Sequence, residues 1–174
     1  MKTFLNAGHA PNGDPDPGAC GFGLRESDVA ASVAALVQKY LEAAGIQAYR
    51  FQSDSLAEIS ATSNAWGADI FISIHCNAAA SEQAHGTETY RWFDSVKGYR
   101  LASCIQEQII DSIGTTDRGV KEANFAVIRN TDCPAVLVEL AFITNEDDAE
   151  LLRNRQDDFA RAIARGVTDY QLKV

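Results

Sequence analysis

The stretch Ala68-Asp69-Ile70-Phe71-Ile72-Ser73-Ile74-His75-Cys76-Asn77 sets four large apolar residues almost without a break ahead of a histidine, with an asparagine two places on. Such a run predicts a strand over Asp69 to His75, buried on both faces in the middle of a parallel sheet. His75 then falls at the strand's C-terminal end, where open α/β sheets place their ligands. A histidine ending a core strand is more often a hydrogen-bonded core residue. It becomes a functional candidate only if partners converge on it.

A second apolar run, Ala135-Val136-Leu137-Val138 within Pro134 to Leu140, also leads into a charged residue, Glu139. Between these runs, strands alternate with helical patterns. Thr3 to Ala7, Ile46 to Phe51 and Phe125 to Arg129 read as strands, and Gly86 to Phe93 reads as a strand nearer the sheet edge. Val29, Val33, Leu36, Val37, Tyr40 and Leu41 recur at helical spacing up to the stop at Gly45. Further helices are predicted over Asp54 to Trp66, capped by Asp54 or Ser55, over Ser95 to Ile113, over Glu146 to Leu152, and from Gln156 onward. The third carries Val96, Tyr99, Ala102, Ile105, Ile109 and Ile113 on one stripe. The last turns Phe159, Ile163, Val167 and Tyr170 to the core. Residues Ala10 to Arg25 form a Gly-, Pro- and Asp-rich loop without periodicity, a length that in a compact domain points to function. The pattern predicts one α/β domain over residues 1–174, with a mostly parallel central β-sheet flanked by helices on both faces.

The 174 residues suffice for one domain and not for two ordinary ones. A net charge of −9 argues against nucleic-acid binding, which needs a basic surface. No stretch approaches the length of a membrane span, and the N-terminus turns polar too quickly for a signal peptide. Cys20, Cys76, Cys104 and Cys133 are too widely spaced for a Cys-rich zinc site and suggest no disulfide framework.

Three predicted strand ends carry metal-competent or catalytic side chains: His9, His75 and Glu139. If the strands are parallel neighbours these ends share one edge, and Glu26, at the start of the first long helix, can reach it. Two histidines, a carboxylate and an open position are the usual ligands of catalytic zinc, with a further carboxylate as general base. Other readings stay open at this level. His9 fits a loop histidine, Glu26 a first-turn helix residue favoured by the dipole, and Asp14 or Asp16 an alternative oxygen ligand. His85 competes as a ligand, but its polar loop suits an exposed histidine. Glu139 resists a structural explanation, because a charge directly after four buried aliphatics is costly unless paired or metal-associated.

The chain resembles the zinc-dependent N-acetylmuramoyl-L-alanine amidases, the group that includes bacterial autolysins and phage endolysins. The matching motifs run in order along nearly the whole chain. They are Asn6-Ala7-Gly8-His9, Asp16-Pro17-Gly18-Ala19 leading through Gly23-Leu24-Arg25-Glu26, Ala68 to Asn77, and Gly86-Thr87-Glu88-Thr89-Tyr90. Asp117-Arg118-Gly119-Val120-Lys121 and Pro134 to Asn145 complete the set. The resemblance implies one zinc per chain held by His9, Glu26 and His75, with Glu139 as catalytic acid and base. The implied reaction is hydrolysis of the amide between the lactyl group of N-acetylmuramic acid and the stem-peptide L-alanine. A zinc peptidase acting within the stem peptide, or a silent wall-binding domain, is the competing reading. Asn77, Glu88 and Arg118 are candidate substrate-binding residues, and Trp66, Trp92 and Phe93 a candidate sugar-stacking surface.

Three positions depart from the family pattern: Ala10 and Ala141 where glycine is common, and Ile59 where relatives often carry arginine. Some regulated relatives carry an inhibitory helix between the second zinc histidine and the next strand. Here only Cys76 to His85 intervene, which predicts an open groove. The expectation is a monomer with peptidoglycan as its partner, acting at the bacterial cell wall, either as a phage or prophage lysin or as a domain of an exported parent.

Overall fold

A computed structural model describes residues 1–173. Its core is a six-stranded sheet in the order β4-β1-β5-β8-β6-β7. Strands β1 (Lys2–Ala7), β4 (Gln47–Gln52), β5 (Ile70–Asn77) and β8 (Ala135–Phe142) are mutually parallel. β6 (Thr87–Arg91) runs antiparallel to β8, and β7 (Asp117–Glu122) parallel to β6. A short hairpin of β2 (Cys20–Gly21) and β3 (Leu24–Arg25) interrupts the long first loop. The helices are α1 (Glu26–Ala43), α2 (Leu56–Trp66), α3 (Val96–Ile113), α4 (Ala126–Arg129), α5 (Glu146–Asn154) and α6 (Gln156–Leu172).

Period-two alternation sorts the strand side chains onto two faces. Leu5, Ile70, Ile72, Ile74, Val136, Val138 and Leu140 enter the larger core with residues of α1, α3 and α6. Phe4, Phe71, Ala135 and Leu137 face the other way, under Ile59 of α2 and Val127 and Ile128 of α4. Phe4 and Phe71 stack there with centroids 5.6 Å apart. Along this second face the rows change character toward the C-terminal ends of the parallel strands. After the phenylalanine row comes a buried polar pair, in which Ser73 Oγ donates to Asn6 Oδ1 at 2.6 Å. The next row sets His75 beside Glu139 and Glu139 beside Glu88. The apolar cover thus gives way to charge at one edge of the sheet.

The sequence expectations hold for the opening strand and for Ser55 as the cap of α2; the structure adds a Ser95 cap on α3 and αL turns at Gly67 and Gly114. Three expectations differ. Phe125 to Arg129 is not a strand but the helical turn α4, whose amides bond locally to Phe125 and Ala126 carbonyls while Val127 and Ile128 cap the smaller core. Asp117 to Glu122 is an edge strand with only charged and small residues around Val120, a composition that protects an open edge and hides it from hydrophobic periodicity. The strand beginning at Thr87 lies second from this edge, in keeping with the expectation of a strand nearer the edge. On α3, Val96 and Tyr99 leave the stripe and lie exposed.

The departures from the family pattern are absorbed by packing. Ala10 has φ −74° and is fully buried, so its backbone needs no glycine. Ile59 fills the smaller core, and Ala141 the larger one.

Helices α3 and α6 touch backbone to backbone at Gly166, where an added Cβ would lie 2.6 Å from Ile105 Cα. Neither helix can yield without shifting on the sheet. Gly166→Ala is expected to cost about 1–3 kcal/mol by overpacking, lowering the melting temperature by roughly 2–4 °C per kcal/mol. Thermal unfolding followed by circular dichroism checks this, and an unchanged midpoint would rule out the close approach.

Candidate active site

His9 follows β1 in a left-handed conformation, φ 64°, which a non-glycine residue adopts only when its surroundings impose it. Asp16 imposes it. Its Oδ2 lies 2.7 Å from His9 Nδ1, its Oδ1 accepts from Gly18 N at 2.9 Å, and its carbonyl accepts from Ala10 N. With Nδ1 held there, Nε2 turns inward to Glu26 Oε2 at 2.9 Å. His75, at the end of β5, brings Nδ1 within 2.8 Å of the other carboxylate oxygen, Glu26 Oε1.

Glu26 is the first residue of α1, where the helix dipole favours an acid. Its carboxylate is only 5% exposed and is gripped by two backbone amides besides the imidazoles, Ala19 N at 2.9 Å and Cys76 N at 3.0 Å. One ligand atom from each of His9, Glu26 and His75 falls within 4.8 Å of the others. The sheet edge, the first loop and the helix start thus converge on one centre. Burial pushes Glu26 up, but the hydrogen bonds from His75 and His9 outweigh it and hold the acid well below the usual carboxylate range. The Glu26 bond raises His9 to about 9 against the opposing effect of burial, with Asp16 adding to the rise. The protein therefore stabilises positive charge at this centre.

Glu139 stands beside His75 in the β5–β8 register without joining the cluster. Its Oε2 is buried and finds no hydrogen-bond partner among the described residues. Burial, supported by Glu26 and Glu88, pushes its pKa up to about 7 against the pull of His75 and His9. Such a carboxyl group exchanges protons near neutrality, which suits a general base and acid.

Two glycines make room for the rings. A Cβ on Gly8 would lie 2.4 Å from His75 Cε1, and one on Gly18 would lie 2.5 Å from His9 Cδ2 and 2.7 Å from Glu26 Oε2.

With this geometry in view, the chain compares directly with known proteins. The sequence model of the N-acetylmuramoyl-L-alanine amidases matches residues 4–169. The chain belongs to the N-acetylmuramoyl-L-alanine amidase family. It is 40% identical, over 96% of its length, to N-acetylmuramoyl-L-alanine amidase LytC of Bacillus subtilis, of which it spans 35%. To the endolysin of Bacillus phage SPP1 it is 36% identical over 94% of its length, spanning 62% of that protein. It therefore corresponds to a part of these longer relatives. The crystal structure of an N-acetylmuramoyl-L-alanine amidase from Clostridium difficile 630 superposes with a TM-score of 0.91 at 30% identity, covering 98% of this chain and 96% of that one. AmiC2 of Nostoc punctiforme gives 0.90 at 31% identity, covering 99% and 97%.

Within this family fold the other sequence candidates separate. Asp16 is no substitute for Glu26 but the residue that orients His9, and Asp14 stays exposed in the loop. Only the loop's path, through the left-handed turns at His9 and Gly18, reveals that role. His85 is exposed, bonded through Nδ1 to the Gln83 carbonyl. Asn77, Glu88 and Arg118 do come together, bonded to one another beside Glu139. Tyr90 and Lys121, which the motifs contain without marking, complete that group. Trp66, Trp92 and Phe93 lie elsewhere. Trp66 sits against Lys2 at the start of β1, and Trp92 and Phe93 follow Arg91, which pairs with Val136 near the start of β8. All three lie at the sheet edge opposite His75, so they form no sugar platform beside it. No described helix is long and apolar enough to cross a membrane.

Gly18 and Gly23 separate steric fit from backbone strain, for both have positive φ, 68° and 77°, yet only Gly18 lies against the cluster. For a zinc ion held by this cluster, Gly18→Ala is expected to weaken binding by about 10-fold or more, in line with other disturbances behind metal ligands, while Gly23→Ala leaves it unchanged. Competition titration against a chromogenic chelator reads both. Equal losses would assign the effect to backbone strain.

Proposed function

We propose that the chain is a zinc-dependent hydrolase of the amide joining the lactyl group of N-acetylmuramic acid to the stem-peptide L-alanine of peptidoglycan. The observation that carries this reading is the Glu26 carboxylate bracketed by His9 and His75, with Glu139 alongside, its Oε2 buried and without a hydrogen-bond partner among the described residues. Two imidazoles and one carboxylate suit zinc in a catalytic site, and the local preference for positive charge suits a dication. Asp16 on the far nitrogen of His9 is the kind of support that fixes a metal-binding histidine.

Zinc bound by His9, Glu26 and His75 would supply a Lewis acid that polarises the amide carbonyl and eases deprotonation of the attacking water. The remaining work falls to Glu139. Its carboxylate takes the proton of the water as the water's oxygen bonds to the lactyl carbonyl carbon. The protonated Glu139 then gives that proton to the alanine nitrogen as the C–N bond breaks. The products are a free lactyl carboxylate on the glycan and a new L-alanine amino group. Burial, which pushes the Glu139 pKa up to about 7, suits a group that takes up a proton and then gives it back.

All four residues come from one chain, so the site is complete in a monomer. The loop after β5 carries no helix that would cover it, which leaves the groove open. The substrate places the reaction at the bacterial wall, in keeping with relatives named as a phage endolysin and as bacterial amidases.

Glu139→Ala is expected to lower kcat by at least about 10³-fold, judged by what an essential proton-transfer group contributes, while one zinc per chain remains bound. Metal analysis and mass spectrometry of digested muropeptides provide the readouts. Full activity in the variant would remove Glu139 from the reaction, and new termini within the stem peptide would identify a peptidase instead.

A further inference from the structure

Beside the reacting centre stands a second cluster that the hydrolytic chemistry does not use. Glu88 lies directly across from Glu139 in the β6–β8 pairing, and its side chain is 4% exposed. Its Oε1 accepts from Asn77 Nδ2 and from the Tyr90 hydroxyl, each at 2.7 Å. Its Oε2 accepts from Arg118 Nε at 2.8 Å and from Lys121 Nζ. Burial opposes ionisation, but Lys121, Tyr90 and Arg118 together hold the acid down to about 2. Glu88 is therefore a fixed negative charge shared by two cations.

One cation would neutralise Glu88. The second leaves a net positive charge next to Glu139, in a chain whose total is −9. Arg118 is held rigidly: Nη1 donates to the His85 carbonyl at 3.2 Å, and the guanidinium lies 4.8 Å from the Phe142 ring centroid. Gly86 keeps its path open, since a Cβ there would come within 3.1 Å of Arg118 Cγ. Nη2 has no partner among the described residues. The side chains of Arg118 and Lys121 are 33% and 39% exposed, so both can meet a ligand. A planar guanidinium and an ammonium side by side suit a carboxylate.

We propose that Arg118 and Lys121 form a carboxylate subsite for the second residue of the stem peptide, a γ-linked D-glutamate that keeps its α-carboxylate free. This rests on the muramoyl-alanine amide being the bond cleaved. That carboxylate lies one residue beyond the scissile nitrogen, roughly 6 Å away given about 3.8 Å between successive Cα atoms. Glu88 pairs directly with Glu139, and such antiparallel partners have Cβ atoms about 5 Å apart, so the group that carries the cations begins one strand away from Glu139. The subsite reads charge: an α-carboxylate binds, and the corresponding amide lacks the charge to hold both donors.

Two synthetic muramoyl tripeptides test this, identical except that one carries D-isoglutamate and the other D-isoglutamine. The zinc-loaded protein is expected to prefer the carboxylate by at least about fivefold in kcat/KM, the modest value of a half-exposed ion pair, with the difference carried by KM. Arg118→Gln and Lys121→Gln should each shrink the preference, the double variant should bring it to about one, and Arg118→Lys should keep part of it. The ratio is taken within one protein, so partial loss of folded material cancels. Equal rates on the two substrates by the unmodified chain, or an undiminished preference in the double variant, overturn the subsite. Cleavage of neither substrate at the muramoyl amide overturns the reaction itself and the subsite with it.

Discussion

The site depends on one buried carboxylate with both oxygens engaged. Glu26 meets His9 through one oxygen and His75 through the other, and each oxygen also takes a backbone amide. Those four contacts join the first loop and the start of α1 to the end of β5, some 50 residues further along the chain. Removing water from such a carboxylate is expensive unless charge partners and donors replace it. The partners here are imidazoles, which give up a proton in exchange for a metal. The same arrangement that stabilises the loop against α1 therefore also has the donor set that suits a metal ion.

The sheet explains why the Glu139 carboxyl group stands beside that cluster and not in it. His75 and Glu139 are neighbours in register, and their strands are packed on both faces, by Ile74 and Val138 below and the Phe71 row above. Rigid strands fix the spacing of the two side chains to within the tolerance that proton transfer requires. Glu88, one strand further on, is fully satisfied and fixed in charge, while Glu139 is unsatisfied and poised near neutrality. Neighbouring acids on one row thus take separate roles because their donors differ.

Much of this was legible in the sequence, for identifiable reasons. Strands β5 and β8 are buried on both faces, so their apolar runs and the charged residues ending them stand out. The amphipathic α1 and α6 show their stripes. What stayed hidden has no hydrophobic signature. β7 is an edge strand of charged residues, and α4 is a single turn whose adjacent Val127 and Ile128 mimic a strand. Glu26 reads as a first-turn acid until the loop closes over it, and the motif resemblance was needed to prefer it to Asp16. The orienting role of Asp16 depends on a left-handed His9, which no residue pattern declares. Trp66, Trp92 and Phe93 suggested sugar stacking by composition alone, and only topology places them at the opposite edge.

The most direct test is the position of the metal. Anomalous diffraction at the zinc edge from crystals of the zinc-loaded protein should show one strong peak per chain, about 2.0–2.2 Å from His9 Nε2, His75 Nδ1 and a Glu26 oxygen, with Glu139 outside bonding distance. A peak coordinated by Asp16 or Glu139 in place of Glu26, or no peak at this sheet edge, would contradict the account.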